Sequence, residues 1–411
     1  MTTAVPSVNP LFPGQHWTSH QFIADEVMDD QFKHHLGMML FGMSDLGECL
    51  EVARSIAVDD EESWIQAWTP MARALQDRAE SAEAAGRTVT AADCHLRAST
   101  YWRASLMHFG PPDDPRMAEH ARRSYQHYDR YLELSGYPGE YLAIPYEGSS
   151  LPSYLYRSPV ADPSAPLLIF FQGRDAWPED TRWVYDGAIR RGIHCLAVQC
   201  PGQGLALRLN GLPFRPDWEN VVTPIVDVAV GLDGVDADRI ALMGLSFGGY
   251  LAPRAAAYEK RLKLCIADPG VLSWWASISA GLPPSLMEAY GEGPEVFNAA
   301  AAAIAEQSST AGWFLRDSCW KHGVDTPYAL MKEFEACDLT DVAKLIECET
   351  LVMDGVDERF STGQAEQLYE ALECPKELML FGTESTAQLH CQNGATATAA
   401  EHLFDWLADR L

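Results

Sequence analysis

The 411-residue sequence predicts an α/β fold. A doubly wound, mostly parallel sheet is expected, preceded by a helical region and interrupted by a helical insert. Three observations predict it. From about residue 18 to 134, apolar positions recur at spacings of three and four, the period of helices facing a core. From about residue 141 the text changes to short, wholly apolar runs, as in parallel strands covered on both faces. Helical stretches separate those runs, and strand alternating with helix marks a layered sheet.

The first clear helix spans 61–85, with Trp64, Ile65, Trp68, Met71, Ala72 and Leu75 on one stripe. Asp59, Asp60, Glu61 and Glu62 stand at its start, where negative charge suits the helix dipole. A second helix is expected over 91–109. Pro111, Pro112 and Pro115 break the pattern before a third over 116–134. Residues 141–147 and 151–158 read as a strand pair. Further strands are expected at 167–172, 193–199, 240–245, 264–267, 351–353 and 378–381, with helices at 250–258 and 363–372 between them. The long connection between Asp268 and Thr350 is too long for a loop in a compact domain, so 272–346 reads as a helical insert. The expected division is a helical cap or lid at 1–138 and a catalytic domain at 139–411.

Charge and composition exclude several functions. Thirty Lys and Arg stand against 58 Asp and Glu, a formal net charge of -28. Such a surface repels phosphate backbones and anionic membranes, so neither nucleic acid nor a membrane is an expected partner. The ten cysteines form no CxxC pair and lie mostly in or beside apolar runs, which suits reduced, buried thiols. Residues 1–15 lack a basic segment followed by an apolar one, and no apolar run is long enough to span a bilayer. These features predict a cytoplasmic protein.

The sharpest motif is Gly244-Leu245-Ser246-Phe247-Gly248-Gly249, between an apolar strand and a helix. That is the context of a G-x-S-x-G elbow, whose tight turn pushes the serine outward. The Phe247 N–H, at a helix start, can face a developing oxyanion. A serine hydroxyl needs a base to become a nucleophile. Only His322, His390 and His402 follow Ser246 in sequence. His390 emerges after the last strand, where a base belongs. His322 lies in the insert, and His402 falls on a terminal amphipathic helix. A carboxylate must hold the imidazole in the right tautomer. Asp354, Asp357 and Glu358 compete for that role beyond the strand at 351–353, with Asp357 favoured because it follows the turn at Gly355. The turn Gly173-Arg174 after an earlier strand is expected to supply a second oxyanion donor, the Arg174 N–H. Gly173, Asp268, Trp274 and Trp275 are candidate substrate contacts. Tyr290, Trp313, Phe314 and Trp320 make the insert aromatic enough to line an apolar pocket.

The elbow at Gly244–Gly249, the acid loop at 354–369 and His390-Cys391-Gln392-Asn393-Gly394, behind a helical N-terminal region, resemble one subgroup of α/β-hydrolases. It comprises 2,6-dihydropseudooxynicotine hydrolase, fungal polyketide-shortening hydrolases of pigment pathways, and fermentation–respiration switch proteins. The resemblance runs from about residue 20 to the end. It implies a Ser246–Asp357–His390 triad, a lid from the N-terminal helices, a homodimer, and no metal or organic cofactor. It also implies hydrolysis of a C–C bond beside a carbonyl, or of an ester, in a small secondary metabolite. The glycine-to-acid spacing is one residue short for Asp357, which leaves Glu358 open. Elimination or acyl transfer on the same scaffold is the alternative chemistry. A non-catalytic, switch-type protein is the alternative role, although those members lack the elbow serine that this chain keeps.

Overall fold

The computed structural model describes residues 16–58 and 60–411. Residues 1–15, on which the expectation about a leader rests, and Asp59 lie outside the described residues.

Five helices come first: α1 (Glu26–Gly37), α2 (Leu46–Ala53), α3 (Glu61–Ala84), α4 (Thr88–Ala104) and α5 (Pro115–Ser135). Side-chain oxygens fix their starts. Asp25 accepts from the Met28 N–H, Asp60 from Glu62 and Ser63, and Asp114 from Arg116, which satisfies donors that a helix start leaves free. The expected helix at 91–109 starts and stops earlier, because its last residues leave the helix as turns. Trp64, Trp68, Tyr101 and Trp102 are fully buried between these helices, a core separate from those of the sheet. Burying each such ring contributes about 2 kcal/mol or more, so this region holds itself together.

Eight strands form one sheet: β1 (Gly139–Tyr146), β2 (Ser149–Tyr156), β3 (Ala165–Phe171), β4 (His194–Val198), β5 (Val235–Leu245), β6 (Leu264–Asp268), β7 (Glu349–Gly355) and β8 (Lys376–Phe381). Their order is β1-β2-β4-β3-β5-β6-β7-β8. β2 runs antiparallel to both neighbours, and β4 through β8 pair in parallel. The two-residue period of a strand sorts the apolar runs onto opposite faces. Leu167, Ile169 and Phe171 of β3 enter one core, and Leu168 and Phe170 the other.

The remaining helices cover those faces. They are α6 (Arg182–Ile189), α7 (Gly204–Arg208), α8 (Glu219–Ala229), α9 (Gly248–Ala256), α15 (Gln364–Ala371) and α16 (Thr396–Ala408). Between β6 and β7 the chain forms α10 (Trp274–Gly281), α11 (Pro284–Glu292), α12 (Pro294–Gln307), α13 (Ser309–His322) and α14 (Pro327–Ala336), so the long connection is helical as expected. None of the described helices is long and apolar enough to cross a membrane.

Polar ties hold the N-terminal helices over the carboxyl ends of the strands. Arg103 of α4 donates to Asp180 at 2.6 Å with both side chains buried. Thr310 of α13 donates to Asp25 at 2.6 Å. Arg359 pairs with Asp30 of α1 at 3.0 Å, and Asn393 donates to the Asp30 carbonyl at 3.1 Å. α1 is thereby joined to the loops that follow β7 and β8.

Candidate active site

β5 ends in the elbow. Ser246 sits at φ 59°, a left-handed conformation that costs a non-glycine residue energy. Surrounding contacts hold it there. The Ser246 N–H donates to the Asp268 carbonyl at 2.6 Å, and Gly249 N–H to the Ser246 carbonyl at 2.8 Å. Gly244 is required by close approach, since a Cβ there would lie 2.0 Å from the Gly248 carbonyl oxygen. Gly173, after β3, lies against the same turn. A Cβ on it would meet the Phe247 nitrogen at 2.6 Å and Ser246 Cβ at 2.7 Å. The two backbone segments expected to furnish oxyanion donors therefore meet at one point.

His390 begins a short 3-10 turn, His390–Gln392, whose Cys391 and Gln392 also have positive φ. Its Nε2 stands 2.9 Å from Ser246 Oγ. Its Nδ1 stands 2.6 Å from Glu358 Oε2. The expectation that Asp357 orients the imidazole is corrected by this geometry. Glu358, not Asp357, meets His390, and Asp357 lines the adjoining cavity instead. The backbone explains the difference. Asp357 N–H donates to the Gln388 carbonyl at 2.9 Å and Glu358 N–H to the Gly355 carbonyl at 3.0 Å, a turn that carries the second carboxylate toward the base. Glu358 Oε1 accepts from the N–H groups of Phe360 at 2.7 Å and Ser361 at 3.0 Å. Both oxygens are thus engaged and the group is almost fully buried.

Three carboxyl groups crowd the region, and burial alone would raise the pKa of each. Glu358 is nevertheless lowered, because the His390 charge and hydrogen bond and the two backbone donors outweigh burial. Asp268 is pushed up to about 6 and Asp354 to about 7, chiefly by burial, with the Glu358 charge adding to the shift. Glu358 is accordingly the carboxylate that carries charge beside the imidazole. His390 is raised above the ordinary histidine value, although burial opposes this. Burial keeps the neighbouring Cys391 thiol protonated, with a pKa of about 11, so at neutral pH Glu358 is the anion that raises His390. With Nδ1–H donated to Glu358, Nε2 can accept the serine proton, and the imidazolium that forms is offset by the carboxylate.

Asp268 departs from its expected role. It is fully buried and outside the cavity, where Oδ1 accepts from Gln392 Nε2 at 3.0 Å. Its carbonyl takes the Ser246 N–H and the Cys391 thiol at 3.4 Å. It ties the elbow to the base loop and cannot touch a ligand in the cavity. Trp275 also lies away from the cavity, its ring 5.1 Å from that of Tyr290. Trp274, Trp313 and Phe314 do line it, as do Gly173 and Arg174. The Arg174 guanidinium is held by Ser318 Oγ at 2.5 Å and lies over the Phe314 and Phe334 rings, which fastens the β3 loop to α13 and α14. His322 is buried beside Phe214 and Phe334, and His402 stands edge-on to Phe381. Neither joins Ser246.

The cavity above Ser246 and His390 has a volume of about 510 Å³, within the usual range for a small-molecule site. The resemblance implied a lid from the N-terminal helices, but which residues of them line the cavity was not legible in the sequence. Val27, Gln31, His34, Met38 and Phe41 follow at helical spacing along α1 and the turn after it, and all face the cavity. Mixed polar and apolar residues on that face broke the periodic signal. Among the described residues no group of three or more metal-ligating side chains is found.

The profile of the alpha/beta hydrolase family matches residues 170–376, and the chain belongs to that family. Among curated relatives, the hydrolase LUC6 of Fusarium sp is 32% identical over 409 residues, covering 94% of this chain and 97% of that protein. The 20-hydroxy-prefusarin hydrolase FUS2 of Gibberella moniliformis is 30% identical over 414 residues, covering 94% and 97%. Among solved structures, 2,6-dihydroxy-pseudo-oxynicotine hydrolase superposes with a TM-score of 0.70 at 19% identity, over 92% of this chain and 95% of that one. That match shows a shared fold and includes the N-terminal helices.

Proposed function

We propose that the protein is a serine hydrolase in which Ser246 attacks a carbonyl carbon, His390 takes its proton and Glu358 orients and charges-balances His390. One observation carries the reading: the imidazole bridges Ser246 Oγ at 2.9 Å and the Glu358 carboxylate at 2.6 Å. The Phe247 N–H and an N–H of the Gly173-Arg174 turn stabilise the oxyanion, each contributing on the order of 3 kcal/mol. His390 then gives the proton to the leaving group as its bond to the carbonyl carbon breaks. A water deprotonated by His390 cleaves the resulting acyl ester to release the acid and restore Ser246. Where that group is carbon, it leaves as a carbanion stabilised by a second carbonyl, as in a 1,3-diketone. The substrate is a small carbonyl-bearing, ring-containing metabolite cleaved at an ester or at a C–C bond beside a carbonyl. The relative FUS2 is named as a hydrolase of 20-hydroxy-prefusarin, which supports hydrolysis as the reaction. The N-terminal helices and the insert act as the lid that excludes water.

A fluorophosphonate probe tests the nucleophile. Mass spectrometry is expected to find the adduct on Ser246, and absence of labelling would defeat the proposal. The pH dependence has a definite sign. Only neutral His390 can accept the proton, and its pKa is raised. The labelling rate should therefore climb with pH along a limb centred above the ordinary histidine value of 6.5.

Gly173→Ala supplies a separate test of the oxyanion geometry. The added methyl meets backbone at the Phe247 nitrogen and the Leu245 carbonyl, so the β3 turn and the elbow must part. A displacement near 1 Å costs about 100-fold in rate. Steady-state kinetics should show that loss in kcat, with Ser246 and His390 unchanged chemically.

A further inference from the structure

The insert helix α13 ends in a set of polar side chains turned inward. Ser318, Lys321 and His322 stand three and four residues apart, so they share one side of the helix. All three are buried, and the Lys321 side chain is only 1% exposed. A basic residue in the last turn of a helix ordinarily sits in water beside the negative end of the dipole. Burying an ammonium is costly unless carboxylates compensate it. Lys321 Nζ lies 2.6 Å from Asp175 Oδ1 and 2.7 Å from Asp317 Oδ2. Burial favours the protonated form of Asp175, yet the Lys321 and Arg174 charges hold its pKa below the ordinary carboxylate value.

Asp175 adjoins the turn expected to carry an oxyanion donor. Gly173 of that turn lies against the elbow, Arg174 donates to Ser318, and Asp175 accepts from Lys321. Two consecutive side chains thus tie the turn to one side of α13. The main chain of Lys321 reaches toward the other donor. Its carbonyl accepts from the Phe214 N–H at 2.7 Å. The Phe214 ring stands edge-on to that of Phe247, with centroids 5.4 Å apart, and His322 packs on Phe214 at 5.1 Å. Lys321 is therefore joined by its side chain to one oxyanion segment and by its backbone, through Phe214, to the other. It does not itself line the cavity.

We propose that Lys321 is a positioning residue that sets the two oxyanion donors, the Phe247 N–H and the N–H of the Gly173-Arg174 turn, at their working separation. This rests on the serine-hydrolase reading. Removing the ammonium releases the Asp175 end of the turn, and the turn drifts from the elbow. The hydrogen bonds of His390 to Ser246 and Glu358 involve neither Lys321 nor Asp175 and stay as they are.

Phosphonylation by a fluorophosphonate probe reads this geometry without a known substrate. Ser246 Oγ bonds to phosphorus, His390 takes the hydroxyl proton, and fluoride leaves with the P–F electron pair. The phosphoryl oxygen gains charge where a carbonyl oxygen would. Progress curves over a range of probe concentrations give the maximal rate kinact and the half-saturating concentration KI. In Lys321→Met, kinact should fall about 10- to 100-fold, approaching the cost of losing one donor, while KI stays within about twofold. The midpoint of the pH limb should stay in place, because the base and its carboxylate are unaltered. Asp175→Asn keeps the side chain's size and leaves Lys321 paired with Asp317. It should lower kinact in the same direction, and it decides the matter if thermal denaturation shows that Lys321→Met does not fold. Wild-type kinact in the folded variants, a loss carried by KI, or a displaced pH limb would overturn the inference. Wild-type protein that labels, with kinact unaltered in the variants, removes this inference alone. Wild-type protein that does not label removes the nucleophile and this inference with it.

Discussion

Ser246→Ala is expected to lower turnover of any accepted ester or diketone by on the order of 10⁴- to 10⁶-fold. The substitution removes the atom 2.9 Å from His390 Nε2 and leaves the imidazole with only water to activate. Alanine accommodates the left-handed backbone at this position no worse than serine, so the elbow itself should survive. The oxyanion donors remain, and a residual rate above that of water is expected from them. The measurement is steady-state kinetics on purified protein, with circular dichroism to show that the variant folds. A variant that keeps a tenth of the wild-type rate would remove Ser246 from the mechanism.

Glu358→Gln and Asp357→Asn should differ sharply, although the residues are neighbours. In Glu358→Gln the amide oxygen replaces Oε1, which faces the Phe360 and Ser361 N–H groups. The amide NH₂ then faces His390 Nδ1 and donates to it. That forces the proton onto Nε2, so the ring presents N–H to Ser246 and cannot take its proton. A wrong tautomer of this kind costs on the order of 10⁴-fold in kcat. Removal of the charge also lowers the His390 pKa, so the acid limb of the pH profile should move down relative to wild type. Asp357→Asn leaves the imidazole and its partner untouched and alters only the cavity wall. It should change KM more than kcat, with the limb in place. The reverse ranking, with Asp357→Asn the damaging change, would mean that the acid loop rearranges when substrate binds.

Much of the fold was legible because its signals are local. Strand runs such as 240–245 are apolar at every position since both faces of the sheet are covered, and the structure extends this one back to Val235 through half-buried and exposed residues. The elbow was legible because close backbone approach admits only glycine at particular places, and glycine is visible in the text. The choice between Asp357 and Glu358 was not. A turn with Asp357 N–H on the Gln388 carbonyl depends on residues some thirty positions downstream. Asp268 misled for a similar reason: a carboxylate at a strand end beside the elbow has the position of a substrate contact, yet Gln392 covers it. Gln392 itself lies in a segment whose resemblance was recognised, without any local sign of what its side chain holds.

From the order of residues alone came the layered α/β architecture, the helical region before it, and Ser246 and His390 as chemically paired side chains. Each follows from periodicity, backbone sterics or chain order, which act over a few residues or along a fixed topology. Which carboxylate faces the imidazole, and which helix closes the cavity, were decided only by tertiary structure. Both depend on where distant segments come to rest: α1 is drawn over the strand ends by Asp30, Arg359 and Asn393, three groups whose meeting no spacing in the chain records.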